Sequence, residues 1–266
     1  MLTLALDVGG TAIKAALLDD TGRIVRRPPP VPSHSDGTRA QQAEAFRTAI
    51  AQAGDIQALG VAMPGPFDYA QGVFRATHKF AALRGESFAE VSGWHGAACF
   101  IHDANAFLLG ELTSPALRNL SRVAAVTLGT GLGAAFAING KLVTNADLTP
   151  ADNVRLWNRP WKDGIAEDYL STRALLGKYP APDVLTIAQQ AEQGDEHARQ
   201  AFLDYGADLF ALLRLWQTEL HAEAIVLGGQ IAKSRSLFGL PPKDLPLYPT
   251  TLGGDAPFIG LWQALR

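Results

Sequence analysis

A pattern of strand, glycine turn and strand occurs twice in this chain. The first copy is LTLALDVGGTAIKAALLDDTGRIV at residues 2–25, and the second is VAAVTLGTGLGAAFAINGKLV at residues 123–143. When the two copies are aligned, Gly10-Thr11 falls on Gly129-Thr130. The second copy then ends in Asn139-Gly140, a dipeptide typical of type I′ hairpin turns. Because self-similar segments usually fold alike, the sequence predicts two related lobes.

Composition limits the partners of such a chain. It has 266 residues, of which 47% are hydrophobic and 18% charged, enough for two modest lobes with their own cores. The net charge of −3 gives no broad attraction to nucleic acid or to an anionic membrane, and neither partner is expected. The N-terminus lacks the pattern of a signal peptide, and residues 123–138 are too short and glycine-rich for a membrane helix. The single cysteine, Cys99, excludes a multi-cysteine zinc site and fits a reducing cytoplasm.

Hydrophobic periodicity predicts an alternation of strands and helices, which indicates an α/β chain. The predicted strands are 2–8, 12–18, 58–65, 97–101, 123–143 (a hairpin) and 224–232. The predicted helices are 38–54, 103–112, most of 164–221, and a short one within 250–265. Residues 26–37 are predicted as a loop because they are rich in proline and polar residues.

Each glycine turn has two interpretations. Either it is a plain hairpin, or its glycines take a positive φ and leave amides open to phosphate oxygens. Neither turn matches the Walker loop or the dinucleotide-binding fingerprint. The duplication favours phosphate binding. The candidate residues are Gly9, Gly10, Thr11 and Lys14 in the first copy and Gly129, Thr130, Gly131 and Gly133 in the second. For Lys14, a solvated position on the strand face is an equal alternative.

Two aspartates are candidates for chemistry. Asp103 follows an apolar strand and begins a predicted helix, so it is a candidate N-cap, a candidate general base at the carboxyl edge of a sheet, or both. Asp7 ends the first strand, where it either caps the turn or holds Mg²⁺ through water. Gly228-Gly229 follows a third apolar strand and is either a turn or a place where adenine approaches the backbone.

In this order, the segments resemble the ROK family of sugar kinases and repressors, within the actin-like ATPase superfamily. DVGGTAIKAALLD (7–19) and LGTGLGAAFAINGKLV (128–143) look like its two phosphate motifs, and IVLGGQI (225–231) its adenosine strand. HDANAFLLGE (102–111) is similar to N-D-A-N-x-x-x-x-G-E. MPGPFD (63–68) and GIAEDYLSTRAL (164–175) match segments that contact sugar.

The resemblance implies two actin-like (ribonuclease H-like) α/β lobes with a central cleft. The expected lobes are 1–113 plus 253–266, the smaller, and 114–252. The implied activity is ATP-dependent phosphorylation of a hexose hydroxyl, with Mg²⁺ near Asp7 and Asp103 as general base. The residues implied to contact the sugar are Gly65, His78, His102 and Glu167. The resemblance also suggests a homodimer.

This chain departs from the family pattern between residues 144 and 163. The zinc-binding cysteines and the E-x-G-H segment have no counterpart, so no structural zinc is expected. Asp147, Asp152 and Asn153 are candidates to replace the missing sugar ligands. Two other functions stay open. One is that of a catalytically silent sugar-binding protein, and the other is that of a phosphotransferase that acts on an amino sugar or polyphosphate. A repressor is not expected, because the first predicted strand at residue 2 leaves no room for a preceding DNA-binding helix-turn-helix.

Overall fold

A computed structural model describes residues 2–266. The strands are β1 (Thr3–Val8), β2 (Ala12–Leu18), β3 (Ile24–Arg26), β4 (Val31–Pro32), β5 (Ala58–Met63), β6 (Phe67–Asp68), β7 (Val73–Phe74), β8 (Ala97–His102), β9 (Arg122–Leu128), β10 (Leu132–Ile138), β11 (Lys141–Leu142), β12 (Pro160–Trp161), β13 (Gly164–Ile165), β14 (Ala224–Gly228) and β15 (Leu247–Pro249). The helices are α1 (Arg39–Ala51), α2 (Phe88–Ser92), α3 (Asp103–Glu111), α4 (Ala166–Tyr169), α5 (Thr172–Lys178), α6 (Val184–Glu192), α7 (Glu196–Leu220) and α8 (Ala256–Ala264). Short 3-10 turns cover Ala81–Leu83, Ile231–Leu237 and Gly253–Asp255.

The chain folds as two compact units. The first contains Met1–Thr113, Thr144–Pro150 and Gly254–Arg266, and the second contains Ser114–Val143 and Ala151–Gly253. The division expected from sequence placed residues 144–150 in the second lobe and Gly253 in the first, whereas contacts group residues 144–150 with the first unit and Gly253 with the second.

The main sheets of the two units have the same strand pattern. In the first unit the order is β3-β2-β1-β5-β8, with β4 also pairing with β2, and in the second it is β11-β10-β9-β14-β15. In both, the first two pairings along the order are antiparallel and the last two are parallel. The repeat seen in the sequence is therefore a repeat of topology, and the predicted α/β class is confirmed.

Each unit has its own apolar core. In the first, β1 and β5 are buried almost throughout, as strands covered on both faces should be, and α1 packs on one face through Phe46. In the second, the long helix α7 packs Phe202, Tyr205 and Trp216 into the core beside β9 and β10. Among residues 2–266, no helix is long and apolar enough to cross a membrane.

Most predicted elements are present, with a few corrections at their boundaries. The segment 26–37, expected to be a loop, contains β4, which pairs with the start of β2. The expected strand 224–232 ends at Gly228, where the backbone turns. Helix α1 begins after Thr38, whose hydroxyl accepts a hydrogen bond from the Gln41 amide in a capping box.

Helices α3 and α8 cross at two glycines in the first unit. A β-carbon at Gly110 would lie 2.0 Å from the carbonyl oxygen of Ala256, and one at Gly260 would lie 1.9 Å from that of Ala106. The two backbones are therefore in direct contact, which fixes the position of α3 and of the Asp103 at its start.

Candidate active site

Three parallel strands of the first unit end at the same edge of the sheet. In the pairing register, Asp7 of β1 lies opposite Ala62 of β5, and Met63 at the end of β5 lies opposite His102 at the end of β8. The chain then continues into the turn at Gly65 and into α3 at Asp103. This is the edge where open α/β sheets collect ligands, so the topology brings the predicted residues of this unit together.

One carboxylate oxygen of Asp103 accepts a hydrogen bond, and the other does not. The Ala104 amide donates to its Oδ1 at 2.7 Å and to Nδ1 of His102 at 3.3 Å. His102 has the backbone conformation of the N-cap, so the N-cap interpretation of Asp103 is wrong, and Asp103 is the first helical residue. Within residues 2–266, Oδ2 of Asp103 accepts no hydrogen bond, and the side chain is 40% exposed. One carboxylate oxygen is thus fixed by the helix while the other is available to a proton donor.

Asp7 is unfavourably placed for a charged group. Burial, and to a smaller extent the charge of Asp103, raises its pKa to about 6, although Lys14 on the neighbouring strand acts in the opposite direction. The Lys14 Nζ lies 3.9 Å from Asp7 Oδ2 and is half-exposed, so this ion pair is weak. Lys14 therefore faces the carboxylate at the strand ends.

Replacing Asp7 with asparagine is expected to stabilise the protein at neutral pH. The folded-state pKa exceeds the unfolded value, so ionisation of Asp7 costs stability above about pH 6, and that cost disappears as pH falls toward 4. The variant is expected to gain about 1–2 kcal/mol at pH 7.5 and little at pH 4.5, as measured by urea unfolding. Asp20→Asn, an exposed control, should change neither value. A loss of stability at pH 7.5 would contradict the unfavourable burial of Asp7.

Gly65 lies against Tyr69 and His102. A β-carbon at Gly65 would lie 3.5 Å from the Tyr69 hydroxyl and 4.0 Å from His102 Nε2. Within residues 2–266 the Gly65 amide donates no hydrogen bond. The Tyr69 hydroxyl donates to the Met63 carbonyl at 3.0 Å and is buried.

Sequence reasoning missed Tyr69 and left Asp147 as one of three alternatives. Burial raises the pKa of Tyr69 well above its usual value, with smaller contributions from the charges of Asp103 and Asp147. Asp147 is therefore electrostatically coupled to this group of residues in the first unit. Asp152 and Asn153 belong to the second unit. No sequence spacing indicates Tyr69, because it reaches the site only through the turn after β5.

The first glycine turn leaves two amides open. The Gly9 amide donates to the Ala12 carbonyl at 3.0 Å, and the Gly10 carbonyl accepts the hydroxyls of Ser33 and Ser35, each at 2.7 Å. The amides of Gly10 and Thr11 donate to no atom of residues 2–266. Amides in this state can bind an anion.

The second glycine turn follows the same plan. The Gly129 amide closes it by donating to the Gly131 carbonyl at 3.1 Å, and the amides of Thr130 and Gly131 donate to no described atom. A β-carbon at Gly129 would have no neighbour within 4 Å, so the space beside it is open. No glycine of either turn takes a positive φ, so that part of the prediction is wrong and the glycines instead provide room.

Pairing in the two hairpins differs by one residue. Val8 lies opposite Ile13, whereas Leu128 lies opposite Leu132, so the first turn is longer. Counted along the central strands, the position of Asp7 is taken by Thr127 in the second unit, since Thr127 lies opposite Gly228 as Asp7 lies opposite Ala62. Only the first unit has a carboxylate at the end of its central strand.

Glu167 and Gly229 both contact the second turn region. Glu167 Oε2 accepts the Leu132 amide at 2.9 Å, which places its carboxylate against Gly131. A β-carbon at Gly229, where φ is +90°, would lie 2.2 Å from the Leu128 carbonyl oxygen. Glu167 thus stabilises the turn through this hydrogen bond, and its contact with sugar stays a prediction. Gly228-Gly229 lies beside the end of β9.

His78 and Lys79 follow β7 in the first unit. The His78 side chain is exposed, and its carbonyl accepts the Ala81 amide at 3.0 Å. Lys79 reaches Gly10, since a β-carbon there would lie 3.3 Å from its Cε and 3.5 Å from its Nζ. No pattern in the sequence indicates a role for Lys79.

The residues at the sheet edge fit a magnesium ion better than a tightly ligated metal. Within residues 2–266, no group of three or more His, Cys, Asp or Glu side chains could hold a metal by itself. Asp7 and Asp103 are close enough for one charge to raise the pKa of the other. Mg²⁺ is commonly held by one or two carboxylates, with water and phosphate oxygens completing its shell.

Comparison with known proteins identifies the family of this chain. The model of the ROK family matches residues 3–148, more than half of the chain, and the chain therefore belongs to the ROK family. It is 25% identical over 270 residues to an N-acetyl-D-glucosamine kinase of Yersinia enterocolitica, with 91% of this chain and 88% of that protein covered.

Solved structures share the fold. A ROK family glucokinase from Streptomyces griseus, crystallised with glucose and AMPPNP, superimposes with a TM-score of 0.78 at 23% identity, covering 98% of both chains. An inorganic polyphosphate/ATP-glucomannokinase from Arthrobacter superimposes with a TM-score of 0.75 at 22% identity, covering 99% of this chain and 98% of that one. At these identities the likeness establishes the two-lobe fold.

Proposed function

We propose that this chain is a sugar kinase, which transfers the γ-phosphoryl group of ATP to a hydroxyl of a hexose or an N-acetylated hexosamine. The observation that carries the proposal is the Asp103 carboxylate, fixed through Oδ1 and open at Oδ2, on the same sheet edge as Asp7. Kinase relatives on the same fold support it.

Asp103 is the proposed general base. Its Oδ2 takes the proton of the acceptor hydroxyl as that oxygen forms a bond to the γ-phosphorus. The bond from phosphorus to the bridging oxygen breaks, and ADP leaves with the electron pair. The Ala104 amide keeps the carboxylate oriented during this step. Most of the rate gain comes from positioning and charge neutralisation.

The open amides are the proposed phosphate ligands. Gly10 and Thr11 supply them in the first unit, and Thr130 and Gly131 in the second. Asp7 would hold Mg²⁺, and the bound ion would supply neutralisation of charge on the phosphate oxygens. The strand end at Gly228 is the proposed adenosine contact.

The acceptor sugar is assigned to the first unit's turn after β5. The open amide of Gly65 and the side chains of His102 and Asp147 are the proposed contacts, and Tyr69 packs against Gly65 and His102. Asp147 thus takes the place of a ligand from the missing E-x-G-H segment. His78 and Glu167 are further candidates.

A screen of acceptors tests the activity. ADP release is measured with Mg²⁺-ATP against hexoses, N-acetylated hexosamines and polyols, and polyphosphate is tested as an alternative donor. We expect release with at least one hexose or N-acetylhexosamine. Sugar binding without release for any acceptor and either donor would instead identify a catalytically silent sugar-binding protein.

A further inference from the structure

We infer that Lys79 binds the phosphoryl group that is transferred. Its ammonium group places a positive charge beside the first glycine turn. This inference rests on the proposed kinase function, and it concerns a residue outside the predicted phosphate motifs. Lys79 comes from the segment after β7, and only the folded structure brings it to Gly10.

The ammonium group lies directly over the turn. The Cε and Nζ atoms of Lys79 would be 3.3 and 3.5 Å from a β-carbon at Gly10. The neighbouring amides of Gly10 and Thr11 are open within residues 2–266. A cation and two amide donors therefore surround the same small space, which is a favourable arrangement for a phosphate group.

Lys79 has no partner that accounts for its position. Within the chain from residue 2 to 266, its Nζ takes part in no hydrogen bond and no ion pair, although the residue is half-buried. Asp7 pairs instead with Lys14. The residue is only partly exposed, so an anion bound beside the ammonium group would compensate for the hydration that the side chain has lost.

The backbone holds Lys79 in place. The next residue, Phe80, has a left-handed backbone with φ of 58°, which is costly for an aromatic residue. Its ring is buried near Phe46 and Phe74, and its amide donates to the Ser35 carbonyl at 2.6 Å. The Ser35 hydroxyl in turn donates to the Gly10 carbonyl. The segment carrying Lys79 and the glycine turn are thus tied together through Ser35.

We assign the transferred phosphoryl group to Lys79 because Asp103, the proposed base for the acceptor hydroxyl, belongs to the same unit. Asp103, Asp7, Gly10 and Lys79 all belong to the first unit, and the charges of the two aspartates act on each other. A phosphoryl group held by Gly10 and Lys79 therefore lies on the side of the acceptor hydroxyl. Lys79 is expected to neutralise the charge on its oxygens during transfer.

Binding measurements isolate this role without requiring turnover. Calorimetry with Lys79→Met is expected to show AMPPNP binding weakened roughly 10- to 100-fold, while ADP binding changes by less than about twofold. Lys79→Arg should recover most of the AMPPNP affinity. Arg84→Met removes an exposed cation from the same segment and should bind both nucleotides like the wild type. Thermal melting of each variant shows whether it is folded.

Equal AMPPNP affinity in Lys79→Met and wild type would overturn the inference. So would an equal loss for ADP and AMPPNP, or a defect confined to the KM of the sugar, which would place Lys79 on the acceptor instead. If the wild type phosphorylates no sugar, the proposed function fails on its own, whereas the comparison of AMPPNP with ADP still decides whether Lys79 reads the terminal phosphate.

Discussion

Replacing Asp103 with asparagine is expected to lower the turnover number by about 10³-fold or more. Asparagine keeps the shape of the side chain and can still accept the Ala104 amide, but it cannot take the proton of the acceptor hydroxyl. Affinity for AMPPNP and for the sugar should change by less than about threefold, because the proposed nucleotide ligands are mainly backbone amides. Steady-state kinetics and calorimetry measure the two effects separately.

The control for this variant is Asp55→Asn, an exposed aspartate of the same unit. It should keep the wild-type turnover number. Turnover by Asp103→Asn within tenfold of the wild type would show that another group accepts the proton.

Replacing Gly260 with alanine is expected to destabilise the fold strongly. The new β-carbon would lie 1.9 Å from the carbonyl oxygen of Ala106, so the backbones of α3 and α8 must separate. Overpacking lowers the free energy of unfolding by up to about 3 kcal/mol in typical cases. We expect a value near that upper end, because a contact between two backbones leaves little room for relaxation. Thermal unfolding is expected to shift downward by roughly 6–12 °C.

Gly254→Ala is the matched control, because a β-carbon there has no neighbour within 4 Å and its φ is not positive. It should melt within about 1 °C of the wild type. An unchanged melting temperature for Gly260→Ala would contradict the close crossing of the two helices. A lower melting temperature accompanied by reduced turnover at a temperature where Gly260→Ala is still folded would show that the crossing also positions Asp103.

Much of the fold could be predicted because its signals are local. The hairpins of 2–25 and 123–143 follow from apolar runs on either side of glycine turns, and both appear as paired strands with matching topology. The placement of Asp103 after a strand was enough to indicate an edge of a sheet. β4 was missed because two residues within a proline-rich segment have no periodicity to detect.

Only the site residues that lie within a sequence motif could be predicted. The open amides of both turns agree with the predicted phosphate motifs, but the proposed reason, positive φ at the glycines, did not hold. Tyr69 and Lys79 come to the site through turns distant in sequence, so their roles depend on tertiary contacts. The raised pKa of Asp7 likewise depends on burial and on Asp103, which no spacing along the chain encodes.

The most direct measurement is the balance of products formed by the wild type and by Asp103→Asn from Mg²⁺-ATP and the best acceptor of the screen. Phosphorus NMR is expected to show one sugar monophosphate for each ADP in the wild type, and neither product above background in the variant. ADP formed without a phosphorylated sugar, or sugar monophosphate formed at the wild-type rate by Asp103→Asn, would contradict a sugar kinase with Asp103 as its base.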